Sequence, residues 1–302
     1  MDRREFLKNA ATFSIATLTI GGVSAETTPA LRKRDIKKGM MLATVPGGGS
    51  VVEKIKRIKE AGFDGVEPRG GMNHDEVLRA RDDNGLQIPS VCCANHWAKP
   101  LTDPDPKVRA EGLAGLETAL NDAKVYGASS VLLVPGVVNE RISYDEAYAR
   151  SQAEIRKAVP LAEKLGVKIA IENVWNRFLL SPLEAVRYVD EFKSSAVGWH
   201  FDVGNIIAFG WPEQWIRALG PRIQKLHIKE YSRMKLNKSG MRAGFEVDYL
   251  EGDNDWPAVM KALDEINYRG WAIAEPAYHP PGVEPAERLK QISGKMDKIL
   301  AM

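Results

Sequence analysis

The chain reads as an α/β protein, a single (β/α)8 (TIM) barrel with its active site at the C-terminal rim of the strands. Three observations predict this. Short apolar runs alternate with amphipathic segments eight times, and strand–helix alternation implies a parallel sheet. The repeats fill roughly 265 residues, the size of one such barrel. The fifth to eighth runs all end in ionisable residues, and barrels do their chemistry at strand C-termini.

Taken in order, the first run is Met40–Val45. A Gly47-Gly48-Gly49 turn follows, then a helix opened by Ser50 with Val51, Ile55 and Ile58 on one face. The triplet lacks the spacing of a dinucleotide loop and the lysine of a phosphate loop, so it is only a turn. Gly65–Pro68 is the second run, and Asn73 opens the helix behind it. Ile88–Cys93 is the third, with Asp103 as helix start and Leu113, Leu116 and Leu120 sharing a face. Ser130–Val134 is the fourth, with Ser143 as cap. Lys168–Asn173, Val197–Val203, Gln224–Lys229 and Trp271–Glu275 complete the set. Ser181 and Asp255 open two of the later helices, and Leu289, Ile292, Met296 and Ile299 stripe the last. Ser, Asn and Asp side chains cap free backbone N–H groups. Gly62, Gly127, Gly166 and Gly270 stand where helices end and a left-handed residue is needed. A doubly wound open sheet competes, but no Gly-x-Gly-x-x-Gly turn follows a strand.

Composition narrows the function. Of 302 residues, 44% are hydrophobic and 27% charged, which is globular. Lys and Arg total 42 against 40 Asp and Glu, too even for an electrostatic nucleic-acid binder. Cys92 and Cys93 are adjacent, which excludes a disulfide framework and a zinc module. Residues 1–25 have a basic head, an apolar middle and a small-residue end at Val23-Ser24-Ala25. Arg3, Arg4, Phe6, Leu7 and Lys8 resemble a twin-arginine export signal, with Asp2 where Ser or Thr is usual. The apolar middle is shorter than the about 20 residues that span a bilayer. The expected organisation is therefore a signal at 1–25, a linker at 26–38 and one barrel at 39–302. The expected location is periplasmic, reached through the twin-arginine machinery, with no stable membrane anchor.

Barrel strands are covered on both faces and should end apolar. Strands five to eight instead end near Glu172, Asp202, His227 and Glu275. Buried carboxylates need a partner or a cation, and three together repel unless a cation lies between them. Three oxygen donors and one imidazole describe a hard divalent site. Manganese fits best, with magnesium, cobalt, iron or zinc as alternatives.

With these residues in view, the chain resembles the xylose-isomerase-like barrels, the superfamily of sugar isomerases, sugar epimerases and endonuclease IV. Gly62-Phe63-Asp64-Gly65-Val66-Glu67 matches the family's second-strand signature, and Gly252-Asp253-Asn254-Asp255-Trp256 a later one. The resemblance covers residues 39 to about 300. One departure stands out: an Asp-x-Gly-His motif reads Asp202-Val203-Gly204-Asn205, so the substrate-binding histidine is missing. The nuclease branch needs three zinc ions. Only His74, His96, His200, His227 and His279 are available, and the fourth strand ends Val134-Pro135-Gly136 without a ligand.

The resemblance implies proton transfer beside a carbonyl through a metal-stabilised enediolate, with Glu172 and Glu275 as the two proton-transfer groups. That is isomerisation or epimerisation of a small carbohydrate. A lyase acting on a keto-sugar or 3-keto-glycoside is the runner-up, and a non-catalytic sugar-binding barrel the remote alternative. Glu67, His96, Trp97, Trp175, Asn205 and Lys229 are the candidate substrate contacts, Trp97 and Trp175 as platforms and Lys229 for proton transfer or an oxyanion. His200 reads as a core residue. The segment from Tyr231 to Tyr249 is long for a barrel loop and reads as a lid carrying Arg233, Lys235, Lys238 and Arg242. No nucleic-acid partner is expected, and a homo-oligomer is left open.

Overall fold

A computed structural model describes residues 34–302. The export segment at 1–25 and residues 26–33 of the linker lie outside the described residues. The strands are β1 Ile36–Met41, β2 Gly65–Glu67, β3 Ser90–Cys92, β4 Ser130–Leu133, β5 Lys168–Glu172, β6 Val197–Asp202, β7 Ile223–Ile228 and β8 Gly270–Ala274. They pair in the order β2-β1-β8-β7-β6-β5-β4-β3, with every ladder parallel. Single bridges from Gly65 to Gln87 and from Arg69 to Cys92 join β2 to β3 and complete the ring. The architecture is the (β/α)8 barrel that the sequence predicts.

The helices are α1 Val51–Glu60, α2 His74–Asp83, α3 Pro106–Tyr126, α4 Tyr144–Leu165, α5 Pro182–Asp190, α6 Gly204–Ile207, α7 Pro212–Leu219, α8 Arg233–Ser239, α9 Trp256–Glu265 and α10 Pro285–Leu300. None of the described helices is long and apolar enough to cross a membrane. Ser50 and Ser143 each close a reciprocal capping box, with Glu53 and Glu146. Asn73, Ser181 and Asp255 cap α2, α5 and α9. Outward strand residues such as Val131, Ile169, Ile171, Trp199, Phe201 and Leu226 join Ile55, Leu116, Ile155 and Ile292 of the helices in one buried cluster. Each such side chain contributes about 1.5–3 kcal/mol of burial.

Three local expectations differ. The first strand begins at Ile36, not Met40, because Lys37 and Lys38 mask it in the sequence. Their ammonium groups lie over the rings of Trp271 and Phe63, 5.5 and 5.9 Å from the centroids. Asp105, not Asp103, caps α3; Pro106 occupies the first helical position and fixes the cap one residue before it. Asp103 instead accepts the N–H of Asp105. Gly270 opens β8, and Asn267, at φ 54°, is the left-handed residue after α9.

One irregularity sets the site. Trp199 pairs with Ile223, but His200 pairs with Lys225, so β7 carries an extra residue there. Without that bulge Asp202 would face Leu226. With it Asp202 faces His227. A one-residue register change swaps which side chains share a face, so the bulge brings the two polar groups together.

Candidate active site

Side chains alternate along a strand, so residues facing away from the helix-side cluster point into the barrel. On β5 to β8 these are Glu172, His200, Asp202, Lys225, His227 and, just past the strand ends, Lys229 and Glu275. Donor atoms of Glu172, Asp202, His227 and Glu275 all lie within 4.8 Å of one another. His227 Nδ1 is 3.2 Å from Glu172 Oε1 and 2.9 Å from Glu275 Oε2. Lys229 Nζ stands 2.9 Å from Asp202 Oδ2 and 2.8 Å from Glu275 Oε2. The four strand-end residues are thus one cluster.

Glu67 does not line the cavity. It is 1% exposed and its Oε2 lies 2.8 Å from His227 Nε2, while Ser90 Oγ donates to Oε1 at 2.5 Å. The sequence places Glu67 among substrate contacts; the structure puts it beneath His227. A carboxylate behind the far nitrogen of an imidazole fixes the tautomer and turns the near nitrogen outward, as at metal-binding histidines. His200 is wholly buried, its ring centroid 4.2 Å from that of His227, and neither of its nitrogens has a partner among the described residues.

Asp202 is braced from the backbone side. Its N–H donates to Asn173 Oδ1, its carbonyl accepts from Asn173 Nδ2, and its Oδ1 accepts the Asn205 N–H. Asn205 spends its own Nδ2 on the Asn173 carbonyl. Only Asn205 Oδ1 is left facing the cavity, 3.5 Å from Lys229 Nζ.

Charge is shared unevenly. Burial pushes the Glu172 carboxyl up to about 7, against the pull of His227. Burial also raises Asp202 to about 6, with Lys229 opposing. For Glu275 burial is outweighed by Lys229 and then His227, so its carboxyl falls below the usual range. Lys229 is raised, because Asp202 and Glu275 overcome its burial. His227 is raised too, as Glu67 and Glu275 overcome the same cost. The Glu172 and Glu275 carboxyls are therefore shifted in opposite directions by their surroundings.

A cavity of about 510 Å³ opens over this cluster. His96, Trp97, Trp175, Asn205 and Lys229 all line it. His96 Nδ1 accepts the Val134 N–H at 3.2 Å, so its proton is on Nε2. Burial, then Arg69, lowers this imidazole from near 6.5 to about 4, leaving it a neutral donor. Trp97 is half-exposed. Trp175 donates Nε1–H to the Asn205 carbonyl and packs on Phe245, ring centroids 4.6 Å apart.

The segment after β7 folds onto the barrel as α8 and a 3-10 turn, Met241–Phe245. Of its four basic residues only Arg242 reaches the cavity wall. Arg233 donates to the carbonyls of Ile207 and Gly210, and Lys235 to that of Glu246. Phe245 and Thr44 also line the cavity and carry no sequence signal, since loop contacts have no period. Cys92, read as strand packing, forms part of the floor with Met41 and Leu132.

Residues 55–298 match the family described as xylose isomerase-like TIM barrel. The chain belongs to that family. It is 24% identical over 286 residues to the L-ribulose-5-phosphate 3-epimerase UlaE of Salmonella paratyphi A, covering 88% of this chain and 96% of that protein. Identity to UlaE of an Escherichia coli O1:K1 strain is 24% over 282 residues, with the same coverage. Among solved structures, a D-psicose 3-epimerase crystallised with D-fructose superposes with a TM-score of 0.74 at 19% identity, over 87% of this chain and 98% of that one. The 3-keto-D-glucoside 4-epimerase YcjR of E. coli gives 0.73 at 19%, with the same coverage. IolI, crystallised with a zinc atom, gives 0.70 at 19%, over 88% and 98%. UlaE, the D-psicose enzyme and YcjR are sugar epimerases.

Proposed function

We propose that this chain is a divalent-metal-dependent sugar epimerase or isomerase. The observation that carries the reading is the convergence of Glu172 and Glu275 on one imidazole nitrogen inside a cavity of sugar-binding size. The residues fit a cation: three carboxylates and one imidazole share a 4.8 Å cluster. Asp202 Oδ2 and Glu275 Oε2 are buried and accept no well-aligned hydrogen bond, although Lys229 Nζ is near both. Glu172, Asp202, His227 and Glu275 would hold the ion, with Glu67 orienting His227. Manganese is the first choice for so oxygen-rich a donor set.

When bound, such an ion supplies Lewis-acid polarisation of a substrate carbonyl. The chain does the rest. One of Glu172 and Glu275 removes the proton from the carbon beside the carbonyl, leaving an enediolate. The other returns a proton, to the opposite face for epimerisation or to the neighbouring carbon for isomerisation. His96 offers Nε2–H to a hydroxyl, and Trp97 and Trp175 flank the sugar. The test is solvent deuterium incorporation into a panel of ketoses with added manganese. The reading fails if no sugar exchanges, or if Glu172→Gln and Glu275→Gln leave exchange untouched.

The curated relatives act on a sugar phosphate, whereas export, read from residues 1–25, favours a free or glycosidic sugar. Sequencing the mature N-terminus after cell fractionation separates the two. A second reading, elimination in place of reprotonation, is favoured by Lys229. Its ammonium, 2.8 Å from Glu275, is placed to protonate a leaving group. Aglycone release from a 3-keto-glycoside with no epimer formed would select it.

A further inference from the structure

Beside the catalytic cavity lies a second one of about 400 Å³. The two share Val174, Trp175, Asn205 and Arg242, so they adjoin. Their chemistry differs. The first is built around Glu172, His227, Lys229 and Glu275. The second has no carboxylate, and its walls are Leu179, Leu180, Ile206, Phe209, Trp215 and Met241.

Its outer wall is strained and deliberately held. Arg177 and Leu179 adopt left-handed backbone, at φ 60° and 55°. Each such residue costs about 1–2 kcal/mol, and strain of this kind gathers at ligand clamps. Buried Asn176, just before them, donates to the Gly136 carbonyl and accepts the Phe178 N–H. The Leu179 N–H is bound by Tyr144 Oη, and that of Leu180 by Glu184 Oε2. At the mouth Leu180 is 62% exposed and Phe209 59%, large apolar side chains left in water. Arg177 and Arg242 line the same cavity, and neither guanidinium has an ionic or hydrogen-bonding partner among the described residues.

We propose that the second cavity is an aglycone subsite. The substrate is a glycoside whose sugar ring also carries a carbonyl and lies over the carboxylate cluster, and whose planar aromatic aglycone lies against Trp175, Phe209 and Leu180. This deepens the sugar-enzyme reading and rests on it. Apolar walls suit an aromatic ring. Guanidinium groups alone would suit a phosphate as well, and it is the hydrocarbon making up most of the wall that favours an aromatic ring. Guanidinium planes also stack on aromatic faces, which gives both unpartnered arginines a use. A free monosaccharide would leave the whole second cavity to water.

Titration calorimetry on the manganese-loaded enzyme tests this with methyl β-D-glucopyranoside, 4-nitrophenyl β-D-glucopyranoside and glucose 6-phosphate. The aryl glycoside is expected to bind at least about tenfold tighter than the methyl one, about 1.4 kcal/mol. Leu180→Glu and Phe209→Ser, both at exposed positions, should bring that ratio toward one, with circular dichroism confirming the fold. Equal affinity of aryl and methyl glycosides, or binding of neither, overturns the proposal. So does tighter binding of the phosphate that Arg177→Ala and Arg242→Ala abolish, since the cavity is then an anion site. So does a dimer that Leu180→Glu dissociates without changing the aryl preference, since the face then belongs to a second copy. Ketose deuterium exchange on the same preparation keeps the two readings apart. Exchange without aryl preference removes the subsite alone, and aryl preference without exchange removes the chemistry alone.

Discussion

Strands β1–β4 and β5–β8 are alike on the helix side and unlike at the rim. Outward residues of both halves enter the same apolar cluster. At the rim, β1, β3 and β4 present Met41, Cys92 and Leu132, while β5 to β8 present Glu172, Asp202, His227, Lys229 and Glu275. Each buried charge costs several kcal/mol unless neighbours neutralise it. Gathering them on adjacent strands lets one network do so: Lys229 touches two carboxylates, and His227 touches three. The apolar half is then free to contact carbon skeleton. One group crosses over. Glu67, from β2, reaches His227 on β7. At the rim the halves are therefore a charged wall and an apolar wall, and Glu67 is the carboxylate that the apolar half lends to the charged one.

The largest expected effect breaks the charged wall. Glu172→Gln or Glu275→Gln should lower the ketose exchange rate by about 10²–10⁴, the usual contribution of a positioned acid or base. Leu132→Met, a volume-conserving change on the apolar wall, should cost less than about tenfold. Comparable losses from both walls would mean that the division between them has no functional content.

Next comes His96, at the boundary of the two walls. Folded, it takes a proton only near pH 4; unfolded, near 6.5. Between these values the unfolded chain holds the extra proton, so stability falls as pH drops from 6.5 to 4 and is fully present above 6.5. Over that span the loss is at most about 3 kcal/mol. His96→Asn, which keeps an acceptor for the Val134 N–H, should flatten this part of the melting-temperature profile. An unchanged profile in the variant would assign the acid sensitivity to other groups.

Glu67 tests the link between halves. Glu67→Gln keeps an acceptor for His227 Nε2–H but removes the charge. Outer carboxylates of this kind are worth about 10–100-fold in metal affinity. Manganese titration should show that loss, and Ser90→Ala, one bond further out, a smaller one. If Glu67→Gln binds manganese as wild type does, the apolar wall stands independent of the charged one.

Much of this was legible beforehand, for identifiable reasons. The eight repeats show because buried strands are apolar and their helices are capped by Ser50, Asn73, Ser143, Ser181 and Asp255. Glu172, Asp202, His227 and Glu275 show because a polar residue ending a buried strand breaks a pattern four times running. Glu67 breaks the same pattern once, which marks it without telling that it faces His227 from across the barrel. The bulge at β6–β7 has no signature, since an extra Gln224 looks like any strand residue. Phe245 and the apolar second cavity come from loops, where contacts follow tertiary packing and not periodicity. The start of β1 was hidden by Lys37 and Lys38, whose charges break the apolar run.

The smallest expected effect sharpens the comparison by testing what the halves share. Ser50 caps α1 behind the apolar wall, accepting the Glu53 N–H, and Asp255 caps α9 behind the charged wall, accepting the Ala258 N–H. Each satisfies a backbone donor that would otherwise have only water, so Ser50→Ala and Asp255→Ala should each cost about 1 kcal/mol. The two losses should match in urea denaturation, because the scaffold behind the sheet is the same construction all round the ring. They should also add in the double variant, as the caps sit on separate helices with no common partner. If Asp255→Ala alone also weakens manganese binding, the scaffold on that side is coupled to the rim through the neighbouring Asn254, whose Nδ2 holds the Lys229 carbonyl. In that case the asymmetry of the barrel extends from its rim into its helices.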